Sequence, residues 1–313
     1  MQIRPFAETD YPALTRAYAE VYPAAPRSEA ELRYADSRYA PPYRHARWVA
    51  DATGTLRGWC EYSQHPSWYH PDNYEVALSV VPDAEGQGVE HTLYRELFGA
   101  LAPRKPQVLR TNVLETHTQQ LAFFAERGFA ETQRSWRSAL DLGTFDAEPF
   151  AEVMNAASRN DFVVESVAAV EADEARLPGL YTFYQKLVAD LPRTQSYTPW
   201  SFEQFLTHRR TSPLLLPEGS FIVSLDGTLA AVSELKKSAQ PGQLQTGLTA
   251  VGRSYRGRGL ALLSKLYTLI YAREQGISEV TTRNASSNRA MLRINERLGF
   301  VRGVADIELL KNL

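Results

Sequence analysis

Cysteine occurs once in the 313 residues, at Cys60, which excludes a disulfide within the chain. Its surroundings, TLRGWCEYS, are strand-like, and a small buried apolar role is expected for it. Long apolar runs are lacking too: no stretch of 18 apolar residues occurs, and the opening MQIRPFAETD has no basic head followed by an apolar segment. Neither a membrane span nor a secretory leader is therefore expected, and a cytoplasmic location follows. No Lys/Arg run with interleaved aromatics is present, so nucleic acid is not an expected partner. His65 and His70 lie in a loop without a supporting cysteine or carboxylate cluster, so no metal is expected. Low-complexity tracts are missing as well. With 44% apolar and 22% charged residues the chain has the balance of a folded globular protein, and its length suits two domains of about 150 residues.

What is present is a repeat. The second half reads as a strand FVVESV, a helix LPGLYTFYQKLVADL and a helix FEQFLTHRR capped by Ser201. Then SFIVSLDGTLAAVSELKKS switches to period two and turns at Asp226-Gly227, a strong hairpin signal. LQTGLTAV is another strand, and LALLSKLYTLIYAREQG is a helix whose Leu260, Leu263, Tyr267 and Ile270 are read as its core face. SEVTTRN, NRAMLRINERLG and FVRGVADIELL follow as a strand, a helix and two final strands or one bent one. The first half runs in the same order, with a hairpin about Thr53-Gly54 and a helix QLAFFAERGF ending at Gly128-Phe129. A single shift of 171 places Glu85 on Arg256 and Gly128 on Gly299. The predicted division is a first domain over 1–140, a linker with a short helix over 141–161, and a second domain over 162–313. The halves differ in charge: residues 1–161 hold 16 basic and 22 acidic groups, residues 162–313 hold 18 and 14. A positive second half suits a small polyanion.

The segment Arg256-Gly257-Arg258-Gly259-Leu260-Ala261 stands between a strand and a helix. Such a glycine-containing turn aims the unpaired amides of a helix start outward, where the partial positive charge of the helix favours an anion. The alternative is a solvated cap. Together with the later Asn288 and Gly299-Phe300, the segment resembles the signature of the GNAT-family N-acetyltransferases, and the whole chain resembles a tandem GNAT protein of the mycothiol-synthase-like architecture. The resemblance implies an α/β (α+β) fold class: two tandem GNAT folds, each a mixed, mostly antiparallel sheet flanked by helices. It implies acetyl-CoA as cosubstrate, its diphosphate at Arg256, Gly257, Arg258, Gly259, Leu260 and Ala261 and its pantetheine arm along the backbone of Thr249 and Val251. Leu260 would serve by its place in the turn, its side chain being core. Asn284 either bonds the arm or finishes a turn, and Asn288 either caps the last helix or touches the cosubstrate.

The first half reads as the degenerate copy. In Ala84-Glu85-Gly86-Gln87-Gly88-Val89-Glu90, Glu85 and Glu90 put negative charge where a diphosphate would come, and like charges within a few ångströms cost several kcal/mol. This half is expected to complete the fold, cover a sheet edge and shape one wall of the acceptor pocket. Phe124, where many family members have a tyrosine, points the same way.

The resemblance further implies acetyl transfer to the primary amine of a small molecule or peptide, the cysteine–sugar amine of mycothiol biosynthesis being one candidate. An alkylamine of pKa about 10.4 is protonated at pH 7, which costs roughly 4.6 kcal/mol and calls for a base. Glu234 is the candidate, with Glu218 behind it; the plainer reading of Glu234 is a solvated glutamate. The position where the family often has a leaving-group tyrosine holds Asn295, which donates a hydrogen bond but no proton. Direct attack without a covalent enzyme is expected, since no Cys or Ser–His pair is placed for one. Tyr184 and the stretch Tyr197 to Trp200 line the acceptor pocket or pack in the core. A monomer with a pseudo-dimeric pair of domains is expected, and the rival function is a non-catalytic acyl-CoA-binding or scaffold protein.

Overall fold

The computed structural model describes residues 1–159, 161–191 and 196–313. The chain packs as two units, the described residues of 1–135, 195–198 and 305–313 in the first and those of 136–194 and 199–304 in the second.

In chain order the first unit contains β1 Gln2–Pro5, α1 Tyr11–Val21, α2 Glu29–Ser37, β2 His45–Ala52, β3 Thr55–Ser63, β4 Asn73–Val80, α3 Val89–Leu101, β5 Val108–Leu114 and α4 Thr118–Ala125. The β2–β3 turn has positive φ at both Thr53 and Gly54 (53° and 89°), the conformation that a two-residue hairpin loop requires. β1 to β4 are antiparallel in sequence, whereas β4 and β5 pair in parallel over only three residues, Asn73–Glu75 against Val108–Arg110. α3 packs Leu93 and Leu97 onto the sheet, where Trp59 and Leu109 are also fully buried. Cys60 is buried there and donates to the Leu93 carbonyl at 3.4 Å.

A long strand, β6 Ala130–Asp141, leads out of the first unit. Then come α5 Ala151–Arg159, β7 Phe162–Ser166, α6 Val167–Glu171, α7 Leu177–Ala189, α8 Phe202–Thr211, β8 Leu215–Leu225, β9 Thr228–Lys237, β10 Gln243–Val251, α9 Leu260–Glu274, β11 Glu279–Ala285, α10 Arg289–Arg297 and β12 Val301–Asn312. Strands β7 to β10 are antiparallel neighbours. β10 and β11 are parallel, and their register stops at Gln245 opposite Thr281. The segment before β7 packs rather than dangles: Phe145 and Phe150 join Leu235, Leu266, Leu269 and Phe300 in one core cluster.

The end of the chain returns to the first unit. Asp306 to Asn312 of β12 pair antiparallel with Leu114 to Val108 of β5, and Ala305 and Glu115 exchange hydrogen bonds of 2.7 and 2.9 Å. Compact packing thus separates the chain near Ser135 and assigns its last nine residues to the first unit, whereas the sequence reading keeps 162–313 together. FVRGVADIELL forms one strand rather than two.

Candidate active site

In the second unit the turn before α9 has the shape that its glycines permit. Gly257 and Gly259 lie at φ 80° and 77°, a left-handed region in which other residues are strained. Gly259 is the N-cap of α9, with no side chain bonded to the cap. A Cβ at either glycine would meet nothing within 4 Å. Arg256 and Arg253 are held at the mouth by Asp190, at 3.1 and 2.6 Å. Arg258 lies over the Tyr255 ring, 5.7 Å from its centre. Leu260 buries its side chain, while Ala261 is half-buried.

The first unit offers the same turn with the same glycine angles, 71° at Gly86 and 82° at Gly88. There the amide of Gly86 already donates to the Glu90 carboxylate at 2.8 Å. The neighbouring strand is occupied as well: the Gln120 amide donates to the Leu78 carbonyl at 2.5 Å. Leu78 corresponds by the shift of 171 to Thr249. Glu90 therefore does more than repel an anion, since it takes a hydrogen bond that an anion would need. Phe124 is buried among Phe123 and Phe129.

β10 carries the second component. Its register against β9 shifts between Thr246 and Thr249, after which Thr249 lies opposite Ser233 and Val251 opposite Ala231. The two hydroxyls, Thr249 and Ser233, are 3.0 Å apart. Past Gln245 the parallel pairing to β11 has ended, so β10 beyond the bulge has strand pairing on its β9 side and not to β11. The Arg256 guanidinium reaches the Val251 carbonyl at 3.3 Å. Gly247, inside the bulge, admits Glu234: a Cβ there would lie 3.0 Å from Cβ and 3.2 Å from Oε2 of that residue.

Glu234 is buried, not a solvated glutamate. Its carboxylate accepts from the Tyr184 hydroxyl at 2.7 Å, from Arg209 at 2.7 Å and from the Leu248 amide at 3.3 Å. Burial alone would push its carboxyl up, but Arg209, Lys236, Tyr184 and the Leu248 amide together hold it below the ordinary glutamate range. Tyr184 is pushed well above the tyrosine range by burial and by Glu234. Arg209 also bonds Glu171 at 2.5 Å. The first unit has a counterpart in Glu61, which takes Arg47 at 2.6 Å, while the same arginine grips Asp36 at 2.7 Å. Glu218 is exposed at the start of β8. Trp200 receives Tyr181 and Gln185 on its carbonyl, at 2.7 and 2.9 Å. Thr198 donates to the Ser67 carbonyl in the first unit at 2.7 Å.

On the far side of α9 is a chain of polar side chains that the sequence reading joins only in part. Asn295 is 2% exposed, and its Nδ2 donates to Oδ1 of Asn284 at 2.7 Å. Its Oδ1 accepts from Nζ of Lys265. Lys265, fully buried on α9, also lies 4.5 Å from the centre of the Phe300 ring. Burial pushes its amine down to about 7. Asn288 caps α10, its side chain accepting from the Met291 amide at 3.2 Å. One sequence signal for Lys265 is a lysine within an apolar helix: LLSKL sets it between Leu262-Leu263-Ser264 and Leu266.

The low value for Lys265 has a sign that can be tested. Folding penalises the charged amine, so below pH 7 the penalty is fully present. Between pH 7 and about 10.4 the unfolded chain binds the additional proton, and stability rises by up to about 1.4 kcal/mol per pH unit. Chemical denaturation at pH 7 and pH 9 is expected to show Lys265→Met without this part of the rise.

His65 stacks on Trp68 at 3.6 Å, and burial pushes its imidazole down to about 3. Among the described residues no group of three His, Cys, Asp or Glu is placed to hold a metal ion, and no helix is long and apolar enough to cross a membrane.

Comparison with known proteins gives these arrangements a context. The pattern described as "Acetyltransferase (GNAT) family" matches twice, at residues 11–129 and 182–300. A mycothiol acetyltransferase of Thermomonospora curvata is 32% identical over 109 residues, a match that spans 34% of this chain and 36% of the relative. Among solved structures, a tandem GNAT protein from the clavulanic acid biosynthesis pathway superposes with a TM-score of 0.77 at 21% identity, covering 99% of this chain and 98% of that one. A GCN5-related N-acetyltransferase from Sphaerobacter thermophilus superposes with a TM-score of 0.71 at 17% identity, covering 99% and 95%.

Proposed function

The chain belongs to the acetyltransferase (GNAT) family, and from that premise we propose that it is an acetyl-CoA-dependent N-acetyltransferase with its working site in the second unit. One contrast carries the reading. Both helix starts, at Gly259 and Gly88, lack a side-chain cap, but in the first unit Glu90 bonds the Gly86 amide, and the corresponding position in the second unit is Ala261, which has no side-chain acceptor. Arg253, Arg256 and Arg258 add charge at the open nest, and they suit a diphosphate. The strand edge of Thr249 and Val251 beyond the bulge suits the amides of a pantetheine arm as an added strand would.

Acetyl-CoA supplies the acyl group as a thioester. The acceptor amine attacks the carbonyl carbon, the C–S bond breaks with its electron pair on sulfur, and the amine gives up its proton. Glu234 is the proposed destination of that proton. Its depressed pKa keeps it ionised at neutral pH and makes it a weaker base, so its fixed charge also draws the ammonium form of the acceptor toward the site. Asn295 donates to the departing sulfur, which leaves as a thiolate because a thiol of pKa about 8.5 requires little protonation. Asn284 and Asn288 are proposed as contacts to the pantetheine arm. The acceptor class is a primary amine, and the mycothiol acetyltransferase relative puts the cysteine–sugar amine into the test panel beside polyamines, amino acids and peptide N-termini.

The experiment is thiol release from acetyl-CoA on addition of each amine. A chain that binds acetyl-CoA but releases no thiol with any amine supports the rival reading, a non-catalytic acyl-CoA-binding protein. Calorimetry is expected to find one acetyl-CoA per chain. Glu85→Ala should leave both that stoichiometry and Kd unchanged, because Glu90 and Gln120 still occupy the first-unit positions; two sites per chain in either protein would contradict the assignment.

A further inference from the structure

We propose that Lys265 is a positioning residue for thiol release: by donating to Oδ1 of Asn295 it fixes that side-chain amide with an N–H facing the leaving sulfur. The inference rests on the acetyl-transfer reading above.

Lys265 is buried on α9, in the helix whose start forms the nest. Its Nζ donates to Asn295, and Nδ2 of Asn295 donates to Asn284 at 2.7 Å. The Thr282 hydroxyl is 3.4 Å from the same Asn284 oxygen. Three elements, α9, α10 and β11, are thereby tied through one amide. A side-chain amide has two nearly isosteric orientations. With a donor on its oxygen and an acceptor facing one N–H, the flipped form would place N–H against Nζ and oxygen against oxygen. Only the observed form leaves the second N–H free to donate.

Stability does not account for the lysine. Among the described residues no carboxylate pairs with it, and apolar side chains of similar volume fill such a slot as well or better. The repeat sharpens the point. The shift of 171 places Tyr94, Val113 and Phe124 at the positions of Lys265, Asn284 and Asn295. Phe124 is fully buried there and Tyr94 packs edge-on against Phe123. The polar chain thus belongs to the unit whose nest is open. In the transfer step no proton passes through Lys265. The electron pair of the broken C–S bond stays on sulfur, which accepts the Asn295 N–H, and the amine proton leaves by the route given for Glu234.

The test compares Lys265→Met, Asn295→Ala and the double variant. Each single change is expected to lower kcat roughly tenfold or more, with Kd for acetyl-CoA unchanged and the Lys265→Met midpoint of thermal unfolding no lower than that of the wild type. The double variant should be no slower than Asn295→Ala, because the lysine acts through that amide. An unchanged kcat in Lys265→Met, or losses that multiply in the double variant, overturns the inference. Asn295→Ala keeps it falsifiable if the methionine variant does not fold: an unchanged kcat there overturns it equally. A wild-type chain that binds no acetyl-CoA defeats the functional reading, and this one with it; an active wild type with the adverse results above defeats this one alone.

Discussion

Gly259→Glu is expected to weaken acetyl-CoA binding at least a hundredfold. Two effects add. Gly259 sits at φ 77°, and a residue with a Cβ pays about 1–2 kcal/mol in that region. A carboxylate at the nest then faces the diphosphate, and two unit charges 4 Å apart near a protein surface repel by about 4 kcal/mol. At about 1.4 kcal/mol for each tenfold in Kd, the sum exceeds a factor of a hundred. Gly259→Ala separates the two effects. Nothing lies within 4 Å of the added Cβ, so this change carries only the backbone strain and should cost about tenfold. The difference between the two variants should shrink as salt is raised, because screening acts on the charge and not on the strain. Titration calorimetry at two ionic strengths reads both. Equal binding by Gly259→Glu and the wild type would remove the nest from the cosubstrate site.

The nest could be read from sequence because its conformation is local. Glycine at both 257 and 259 permits positive φ, and the shift of 171 exposes the two acids in the first copy. The hairpin at Asp226-Gly227 was legible for the same reason, with φ of 49° and 73°. What escaped depends on distant partners. α2 is not among the helices the sequence reading predicts, although Ser28 and Glu31 form a capping box that the spacing Ser-x-x-Glu announces. In α9 the sequence phases the core on Leu260, Leu263, Tyr267 and Ile270. The structure also buries Leu262, Leu266 and Leu269, and it leaves Tyr267 and Ile270 only partly covered. A helix buried on more than one face gives no single stripe, and Lys265 is not among the residues that the sequence pattern singles out. The destination of β12 was equally hidden: its residues fit a strand, but which strand they pair with is set by a register against β5 almost two hundred residues earlier.

Glu234 joins fold and chemistry, and two substitutions separate the roles. Glu234→Leu removes the acceptor of the Tyr184 hydroxyl, of the Leu248 amide and of one arm of Arg209, whose side chain is 6% exposed. Breaking a buried pair in this way costs about 3–5 kcal/mol, and the second unit is expected to unfold at much lower denaturant. Glu234→Gln keeps the shape and one acceptor oxygen, so its loss of stability is expected near 1–2 kcal/mol. If the carboxylate takes the amine proton, Glu234→Gln lowers kcat/KM by about 10²–10⁴-fold with Kd for acetyl-CoA unchanged. If the rate survives, Glu234 fastens helices to the sheet as Glu61 does with Arg47 and Asp36 in the first unit. The pH dependence has the same sign as that of Lys265, stability rising with pH, but it falls in the acid range. A carboxyl held below its ordinary value of 4.5 contributes stability that is complete above that value and is lost as the pH falls through the folded-state pKa. Acid denaturation of the wild type should therefore steepen below pH 4.5, and Glu234→Gln should lack that component. Absence of any difference between the two proteins below pH 4.5 would mean that the buried pair with Arg209 does not hold the carboxylate ionised.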